Sequence, residues 1–317
     1  MDNHNFPLLE DIKAAHQRIA PYIHRTPILT CSAIDELAGC HIFFKCENFQ
    51  KVGAFKARGA ANAVLKLTIE QKQYGVATHS SGNHAAALAR AASQLGIPSY
   101  IVMPSNAPDI KKAAVIGYGG EIIECEPNQS SREATLAEVV ERTGATFIPP
   151  FDYMDVIEGQ ATCALEMWGE NIPFDMMVAP VGGGGLLSGT ALCTHYISPS
   201  TLTYAVEPSG ADDAYRSFKA GTLFPVNNPQ TMADGLLTSL GKTNFQIIQK
   251  YVSDIFTVTD QEIVVAMRLV YERMKIVIEP SSAVPLAGVL ANKAVFKGKK
   301  VGLILSGGNV DLKKLPF

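Results

Sequence analysis

Short apolar runs alternate with longer amphipathic or alanine-rich stretches along most of the chain. Residues 42–47, for example, form a run of strand length rich in residues that favour strands, and residues 55–67 follow with a helical pattern. The alternation predicts strands at 42–47, 75–80, 99–103, 121–125, 146–149, 176–181, 202–207, 255–258 and 301–305, and helices at 55–67, 84–96, 109–117, 132–143, 156–170, 186–196, 260–275 and 282–293. Such a sequence is typical of α/β proteins whose parallel sheets are covered by helices.

Composition fits a globular enzyme and excludes several other classes. Of the 317 residues, 47% are hydrophobic and 18% are charged, so the chain can bury a large core. Lys and Arg number 27 against 30 Asp and Glu, without the basic surplus of a nucleic-acid-binding protein. No apolar run reaches the ~18 residues of a membrane span, and the polar, acidic segment 1–13 is unlike a secretory signal. Six cysteines without a C-x-x-C pair favour reduced thiols, and we expect a cytoplasmic protein with no nucleic-acid or membrane partner.

Ligands of such folds bind beyond the carboxyl ends of the strands, so the loops after the predicted strands are the candidate sites. The loop at 182–185 is four glycines between a strand and a helix, which suits backbone N–H groups that converge on a phosphate. A tight turn is the alternative. The loop does not match the G-x-G-x-x-G of dinucleotide folds, and Leu236 stands where a P-loop ending at 241–243 needs its first glycine. A cofactor with one phosphate remains.

Two lysines have small or apolar neighbours. Lys56 stands at a predicted helix start, where burial would lower the pKa of its amine and make it a nucleophile. An ordinary solvated lysine is the alternative. Lys45 is flanked equally well, by Phe44 and Cys46, but we expect it to point outward from a strand.

Five motifs occur in one order along nearly the whole chain: AFKARG at 54–59, SSGNH at 80–84, GGGG at 182–185, EPS at 207–209 and LSGGN at 305–309. Together they resemble the fold-type-II pyridoxal 5′-phosphate (PLP) enzymes, specifically the serine racemase and serine/threonine dehydratase family. The resemblance implies a two-domain α/β fold of the tryptophan synthase β type. Residues 1–52 and 150–317 would form a large PLP-binding domain, and residues 53–149 a small mobile domain.

The resemblance also implies the cofactor-binding residues. Lys56 would form the internal aldimine with PLP, Phe55 would pack near the ring, and Asn83 would hydrogen-bond the ring 3′-oxygen. The phosphate would be held by Gly182, Gly183, Gly184 and Gly185. Ser306 would meet the pyridine nitrogen. A hydroxyl in this position makes the PLP ring a weaker electron sink than an aspartate would. A turn serine before two glycines is the alternative for Ser306.

The predicted substrate-binding residues are four residues of the loop at 80–84 and one arginine. The resemblance implies that Ser80, Ser81, Asn83 and His84 bind the substrate carboxylate. It implies that Arg132 reaches the same carboxylate when the small domain closes. Ser81 stands where dehydratases of the threonine type carry alanine and racemase-like members carry serine, so its hydroxyl could serve the face of Cα opposite Lys56. Helix caps and a solvated arginine are the alternatives.

A divalent cation site is implied at 207–213. Its ligands would be Glu207, the Ala211 carbonyl, Asp213 and waters, which favours Mg²⁺, or Ca²⁺ or Mn²⁺, over zinc. Solvated carboxylates at a strand end are the alternative.

The resemblance implies a PLP-dependent serine racemase, a homodimer, that also eliminates water from serine or threonine-like β-hydroxy amino acids. A dedicated L-threo-3-hydroxyaspartate or threonine ammonia-lyase is the enzymatic alternative. A catalytically silent PLP-binding or amino-acid-sensing protein is the alternative from another class. Ala86, Ala161 and the pair at 151–152 depart from residues common in the family, which affects the predicted substrate rather than the cofactor.

Overall fold

Two sheets of mainly parallel strands carry the fold. The computed structural model describes residues 6–317, so the first five residues of the polar segment 1–13 lie outside the description. Within that range one sheet has the order β1-β2-β10-β7-β8-β9 and the other the order β5-β4-β3-β6. Only β1 pairs antiparallel to its neighbour among these strands. The strands are β1 Ile28–Leu29, β2 His41–Cys46, β3 Val76–His79, β4 Ser99–Pro104, β5 Glu121–Cys125, β6 Thr146–Phe147, β7 Met176–Pro180, β8 Leu202–Pro208, β9 Asp254–Val258 and β10 Lys300–Leu305.

Helices cover both sheets. They are α1 Leu9–Ile19, α2 Ser32–Ala38, α3 Lys56–Leu65, α4 Ile69–Tyr74, α5 Asn83–Gln94, α6 Asp109–Gly117, α7 Gln129–Thr143, α8 Met154–Trp168, α9 Gly185–Ile197, α10 Asp213–Ala220, α11 Lys242–Tyr251, α12 Asp260–Leu269, α13 Pro280–Ala291 and α14 Lys293–Phe296. Every strand and helix predicted from the sequence has a counterpart, so the α/β class is confirmed. Within residues 6–317, no helix has the length and apolarity to cross a membrane.

The register brings the carboxyl ends of four strands to one edge of the six-stranded sheet. The last residue of β10 pairs with the last residue of β2, and the last residue of β7 pairs with Val206 near the end of β8. The loops that follow these strands carry the predicted site residues Lys56, Ser306, Gly182–Gly185 and Ala211. Chain topology alone therefore gathers segments that are far apart in the sequence.

The four-stranded sheet is built entirely from residues between 76 and 147, inside the segment predicted as the small domain. The strands of the other sheet come from residues 28–46 and 176–305. Helix α3 contacts both α5, beside the small sheet, and α8, beside the large one. Lys56, at the start of α3, thus lies where the two sheet layers meet. The domain boundaries themselves stay a prediction.

The expectation that Lys45 points outward is wrong. Its side chain is 1% exposed, and its Nζ donates to Glu166 Oε2 at 2.6 Å. Arg58 donates in bidentate fashion to that same carboxylate, at 2.7 and 2.9 Å, and to the Glu47 carboxylate at 2.8 Å on both branches. These four residues form a buried ion cluster of two cations and two carboxylates that ties β2, α3 and α8 together.

Candidate active site

Lys56 begins α3 at the edge where the two sheets meet. Its Nζ donates to the Pro150 carbonyl at 2.6 Å and lies 5.2 Å from the centre of the Phe55 ring. Burial lowers the pKa of Lys56 to about 8, and the charge of Glu279 opposes that shift. An amine with this pKa is partly neutral near neutral pH, as a nucleophile or a proton-transfer group requires. The Phe55 N–H donates to the Ser306 carbonyl at 3.0 Å, which ties this segment to the end of β10.

The glycine loop Gly182–Gly185 joins β7 to α9 and is fully buried. A Cβ on Gly183 would lie 2.3 Å from the Phe151 ring, and Gly184 has a φ of +93°, a conformation that favours glycine. The Asn244 side chain donates to the Gly183 carbonyl at 2.8 Å and fixes the loop. The first N–H groups of α9 have no partner within the helix, so the loop offers the donors that a phosphate needs.

Ser306 lies directly after β10 and is 3% exposed. Its Oγ is 3.2 Å from Ser282 Oγ, which accepts a hydrogen bond from the Gly307 N–H at 2.7 Å. These contacts hold the hydroxyl in place at the strand end, beside the segment that carries Lys56. This placement agrees with a contact to a cofactor ring, and that role remains a prediction.

The loop at 80–84 follows β3 and precedes α5. The Ser80 Oγ accepts from the Gly82 N–H at 3.3 Å, whereas Ser81 is half-buried. Gly82 is the N-cap of α5, with no side-chain cap, so neither Ser81 nor Asn83 caps the helix. The capping alternative is therefore wrong for both residues, and the N-terminal N–H groups of α5 remain available for an anion.

His84 is buried behind that loop. Its Nε2 lies 3.0 Å from the Ile148 carbonyl, and its Nδ1 is buried without a hydrogen-bond partner. Burial lowers the pKa of His84 to about 3, and the charge of Lys56 acts in the same direction. His84 is consequently neutral at neutral pH and donates from Nε2 to the carbonyl, which anchors the first turn of α5.

Glu279 is a site residue that the sequence analysis missed. It is 3% exposed and accepts hydrogen bonds from Asn83 Nδ2 at 3.0 and 3.1 Å and from the Asn309 N–H at 3.2 Å. Burial raises the pKa of Glu279 to about 7, and the charge of Asp234 adds to the rise. The available signal was one carboxylate in an otherwise apolar run before a proline, at 276–280.

Arg132 lies in the first turns of α7, and its Nε is buried without a hydrogen-bond partner. Burial lowers the pKa of His79, the last residue of β3; the charge of Glu133 opposes this shift, and the charge of Arg132 adds to it. The guanidinium is thus near the strand that leads into the loop at 80–84, while its contact with substrate stays a prediction.

The predicted metal ligands cluster at the end of β8. Glu207 accepts from the N–H groups of Ala214 and Tyr215 at 3.0 and 2.8 Å, and Asp213 Oδ2 accepts from the Leu240 N–H at 2.8 Å. Burial raises the pKa of Glu207 to about 9 and that of Asp213 to about 6. Asp213 Oδ1 is buried without a hydrogen-bond partner. Across residues 6–317 no group of three His, Cys, Asp or Glu side chains could hold a metal, so a cation here would need the Ala211 carbonyl and water.

Comparison with known proteins identifies the family. The family described as "Pyridoxal-phosphate dependent enzyme" matches residues 19–307. The chain belongs to this family.

It is 53% identical to the beta-hydroxyaspartate dehydratase of Paracoccus denitrificans over 311 residues, 98% of this chain and 99% of that protein. It is 47% identical to the serine racemase of Dictyostelium discoideum over 97% of this chain and 96% of that one. The solved structure of maize serine racemase superposes with a TM-score of 0.95 at 45% identity, covering 96% of this chain and 94% of that chain. The predicted serine racemase and serine/threonine dehydratase family is thereby confirmed, and with it PLP dependence.

Proposed function

We propose that this PLP-dependent enzyme interconverts the enantiomers of serine and eliminates water from serine and related β-hydroxy amino acids. The observation that carries the proposal is that two candidate proton-transfer groups lie at the starts of helices α3 and α5, which contact each other. Lys56 provides an amine of lowered pKa at the start of α3, and Ser81 provides a hydroxyl free of helix capping in the loop before α5. Serine racemases at 44–48% identity, and relatives named for hydroxyaspartate, support both halves of the activity.

The residues that would hold PLP fit the group. The buried glycine loop and the N-terminal N–H groups of α9 would hold the phosphate, Lys56 would attach the cofactor through Nζ, and Ser306, which is 3% exposed, would meet the ring nitrogen. Asn83 would lie beside the ring oxygen, with its Nδ2 also on Glu279. When bound, PLP supplies an electron sink that acidifies the Cα proton of an amino acid.

The protein's own groups would then bind the substrate and move protons. The N–H groups at the start of α5 and the loop at 80–84 would bind the α-carboxylate. Lys56 Nζ would take or return the proton on one face of Cα, and Ser81 Oγ would do so on the other. Racemisation needs both faces, whereas loss of the β-hydroxyl from the L-amino acid needs only the Lys56 face. We propose that Arg132 joins the carboxylate site on closure of the small domain, residues 53–149.

A dedicated 3-hydroxyaspartate ammonia-lyase is the second candidate. The relative at 53% identity is named a beta-hydroxyaspartate dehydratase, which favours this reaction specifically. Arg132 adds a guanidinium whose Nε lacks a partner, and such a group suits a substrate with a second carboxylate.

The two candidates are separated by an amino-acid panel. The holoenzyme is incubated with L-serine, D-serine, L-threonine and L-threo-3-hydroxyaspartate, and both enantiomers and the keto acid are measured. The proposal predicts both D-serine and keto acid from L-serine. Keto acid from 3-hydroxyaspartate alone would establish the dedicated lyase, and PLP binding without turnover would indicate a sensor. Lys56→Ala is the control, and it should lose the visible absorption of bound PLP and both reactions.

We propose that Glu207, the Ala211 carbonyl and Asp213 hold Mg²⁺, or Ca²⁺ or Mn²⁺, together with waters. Both carboxylates are 0% exposed, and the unpartnered Asp213 Oδ1 is an oxygen that a cation would satisfy. An all-oxygen donor set completed by water suits these hard cations. The site lies on the six-stranded sheet, so its cation would act on stability rather than on proton transfer.

We propose that the enzyme works as a cytoplasmic homodimer. All six cysteines are free thiols, as a reducing compartment would maintain them. Light scattering of the purified protein tests the dimer.

A further inference from the structure

Glu279 joins residues from both sheet layers at the edge of the site. Asn83, which donates to both of its carboxylate oxygens, begins α5 of the four-stranded layer. Asn309, whose N–H donates to Oε2 at 3.2 Å, lies in the loop after β10 of the six-stranded sheet. Glu279 itself is the N-cap residue of α13 and is 3% exposed. A buried carboxylate in this position needs donors on both sides, and the two asparagines supply them.

The Asn309 side chain closes a small network of hydrogen bonds. Its Nδ2 donates to Asn83 Oδ1 at 2.9 Å and to the Val52 carbonyl at 2.7 Å. A carboxylate can only accept, so Asn83 must turn its NH₂ toward Glu279 and its oxygen toward Asn309. Glu279 thereby fixes the orientation of an amide whose residue starts α5 and borders the loop at 80–84.

We propose that Glu279 is a positioning residue of the active site. It holds the Asn83 amide and the adjoining loop at 80–84 against the strand-end loop at 306–309, and its charge acts on the amine of Lys56. The proposal rests on the proposed function, because the loop it places is the one we assign to the substrate carboxylate.

The charges around Glu279 support this role. Its negative charge raises the pKa of Lys56 against burial, which is the larger influence. Asp234 raises the pKa of Glu279 and Lys111 lowers it, and these two residues are paired with each other at 2.6 Å. His84, whose pKa the charge of Lys56 helps to lower, is neutral and adds no charge beside Lys56. Without the Glu279 charge, nothing would oppose the effect of burial, and the pKa of Lys56 would be lower still.

Two substitutions separate the charge from the hydrogen bonds. Glu279→Gln keeps the size, removes the charge, and presents an NH₂ group to the Asn83 NH₂. Glu279→Asp keeps the charge but shortens the reach to Asn83. Glu272→Gln is the matched control, because Glu272 lies seven residues before Glu279 and is an exposed carboxylate paired with Arg268. Each variant is purified with PLP, and we measure PLP affinity, the pH titration of the visible absorption of bound PLP, and kcat and KM for L-serine.

Glu279→Gln should move the absorbance titration to lower pH and weaken PLP binding or raise KM by about tenfold or more, the scale of a hydrogen bond to a charged group. Glu279→Asp should raise KM with a titration near that of the wild type, and Glu272→Gln should change nothing. A Glu279→Gln enzyme with unchanged titration, PLP affinity and KM would overturn the proposal.

If circular dichroism shows that Glu279→Gln does not fold, Asn309→Ala tests the same network. This substitution removes the hydrogen-bond partner of Asn83 Oδ1 and keeps the charge of Glu279. It should raise KM without a shift in the titration, and an unchanged KM would contradict the proposal. If the wild type turns over no amino acid, the proposed function fails, but PLP affinity and the absorbance titration still decide the role of Glu279.

Discussion

The buried imidazole of His84 makes the active-site loop sensitive to acid. Its pKa is about 3 in the folded protein because of burial, against an ordinary value of 6.5. Between pH 6.5 and pH 3, His84 is protonated in the unfolded chain but not in the folded chain. The free energy of unfolding therefore keeps its full value above pH 6.5 and falls as the pH drops toward 3. One such proton is worth about 1.4 kcal/mol per pH unit.

His84→Gln should flatten this loss, because glutamine can still donate to the Ile148 carbonyl but does not titrate. Urea unfolding between pH 7 and pH 4 measures the effect. The free energy of unfolding should fall less steeply with decreasing pH in the variant than in the wild type. The difference in slope should be about 1.4 kcal/mol per pH unit, the value for one proton. His24→Gln, the same substitution at an exposed histidine, is the control for the change of residue itself. Equal slopes in His84→Gln and the wild type would refute the assignment.

Single residues also show where sequence reasoning stops. Small neighbours and the family motif pointed to Lys56, and the structure gives its amine a lowered pKa. Lys45 has similar neighbours, yet it is buried on Glu166, a partner 121 residues away. The residues next to a lysine in the sequence cannot reveal a partner so far along the chain. For the same reason Glu279, whose asparagine partners are 196 and 30 residues distant, was missed.

At the scale of elements, the buried ion cluster fixes α3 and with it Lys56. Arg58→Met removes the cation that both Glu47 and Glu166 share, leaving two buried carboxylates without full compensation. The loss should be roughly 3–5 kcal/mol of unfolding free energy, measured by urea denaturation. Arg268→Met breaks an exposed pair on α12 and should cost within about 1 kcal/mol. Similar losses in the two variants would contradict a structural role for the cluster.

Elements were predicted best where the apolar run is fully buried. Strands such as β7 and β10 are apolar runs that only a sheet core accommodates, and their ends were placed within one residue. The sequence analysis missed the two-residue β1 and the helices α1, α2, α4, α10, α11 and α14. The Glu207 carboxylate accepts the N–H groups of Ala214 and Tyr215 in the first turn of α10, a contact visible only in the fold. The helix predicted to Lys275 continues past α12 as a π-helical turn, Val270–Met274, and ends at Lys275, whose φ is +60°.

At the scale of the whole molecule, the proposed cation should act through stability. EDTA should lower the thermal midpoint by a few degrees or more and reduce activity in parallel, because a ligand at ~100 times its Kd adds about 2.7 kcal/mol. Mg²⁺ or Ca²⁺ should restore both. Asp213→Asn should abolish the response to EDTA, while Asp212→Asn, which alters a pair with Arg216 at the surface, should keep it. A midpoint and rate that EDTA leaves unchanged would show that no cation is bound.

The meeting of distant loops was the most predictable feature of the molecule. Parallel strands place their carboxyl ends together, so the loops at 182–185 and 306–309 were expected at one edge, and the register confirms it. What the pattern could not supply is how the small sheet approaches that edge. The position of Ser81 relative to Lys56 depends on that approach, and so, under the proposed mechanism, does the balance of racemisation and elimination.

The central claim is that Lys56 and Ser81 serve opposite faces of Cα. It is tested most directly by comparing Ser81→Ala with the wild type, at equal PLP content, for D-serine and keto acid formed from L-serine and for keto acid formed from D-serine. The account predicts that racemisation falls by ~10² or more, the scale of a general acid–base group. Elimination from D-serine should fall with it, and elimination from L-serine should survive to a larger extent. Undiminished racemisation, or equal losses in all three reactions, would contradict the claim.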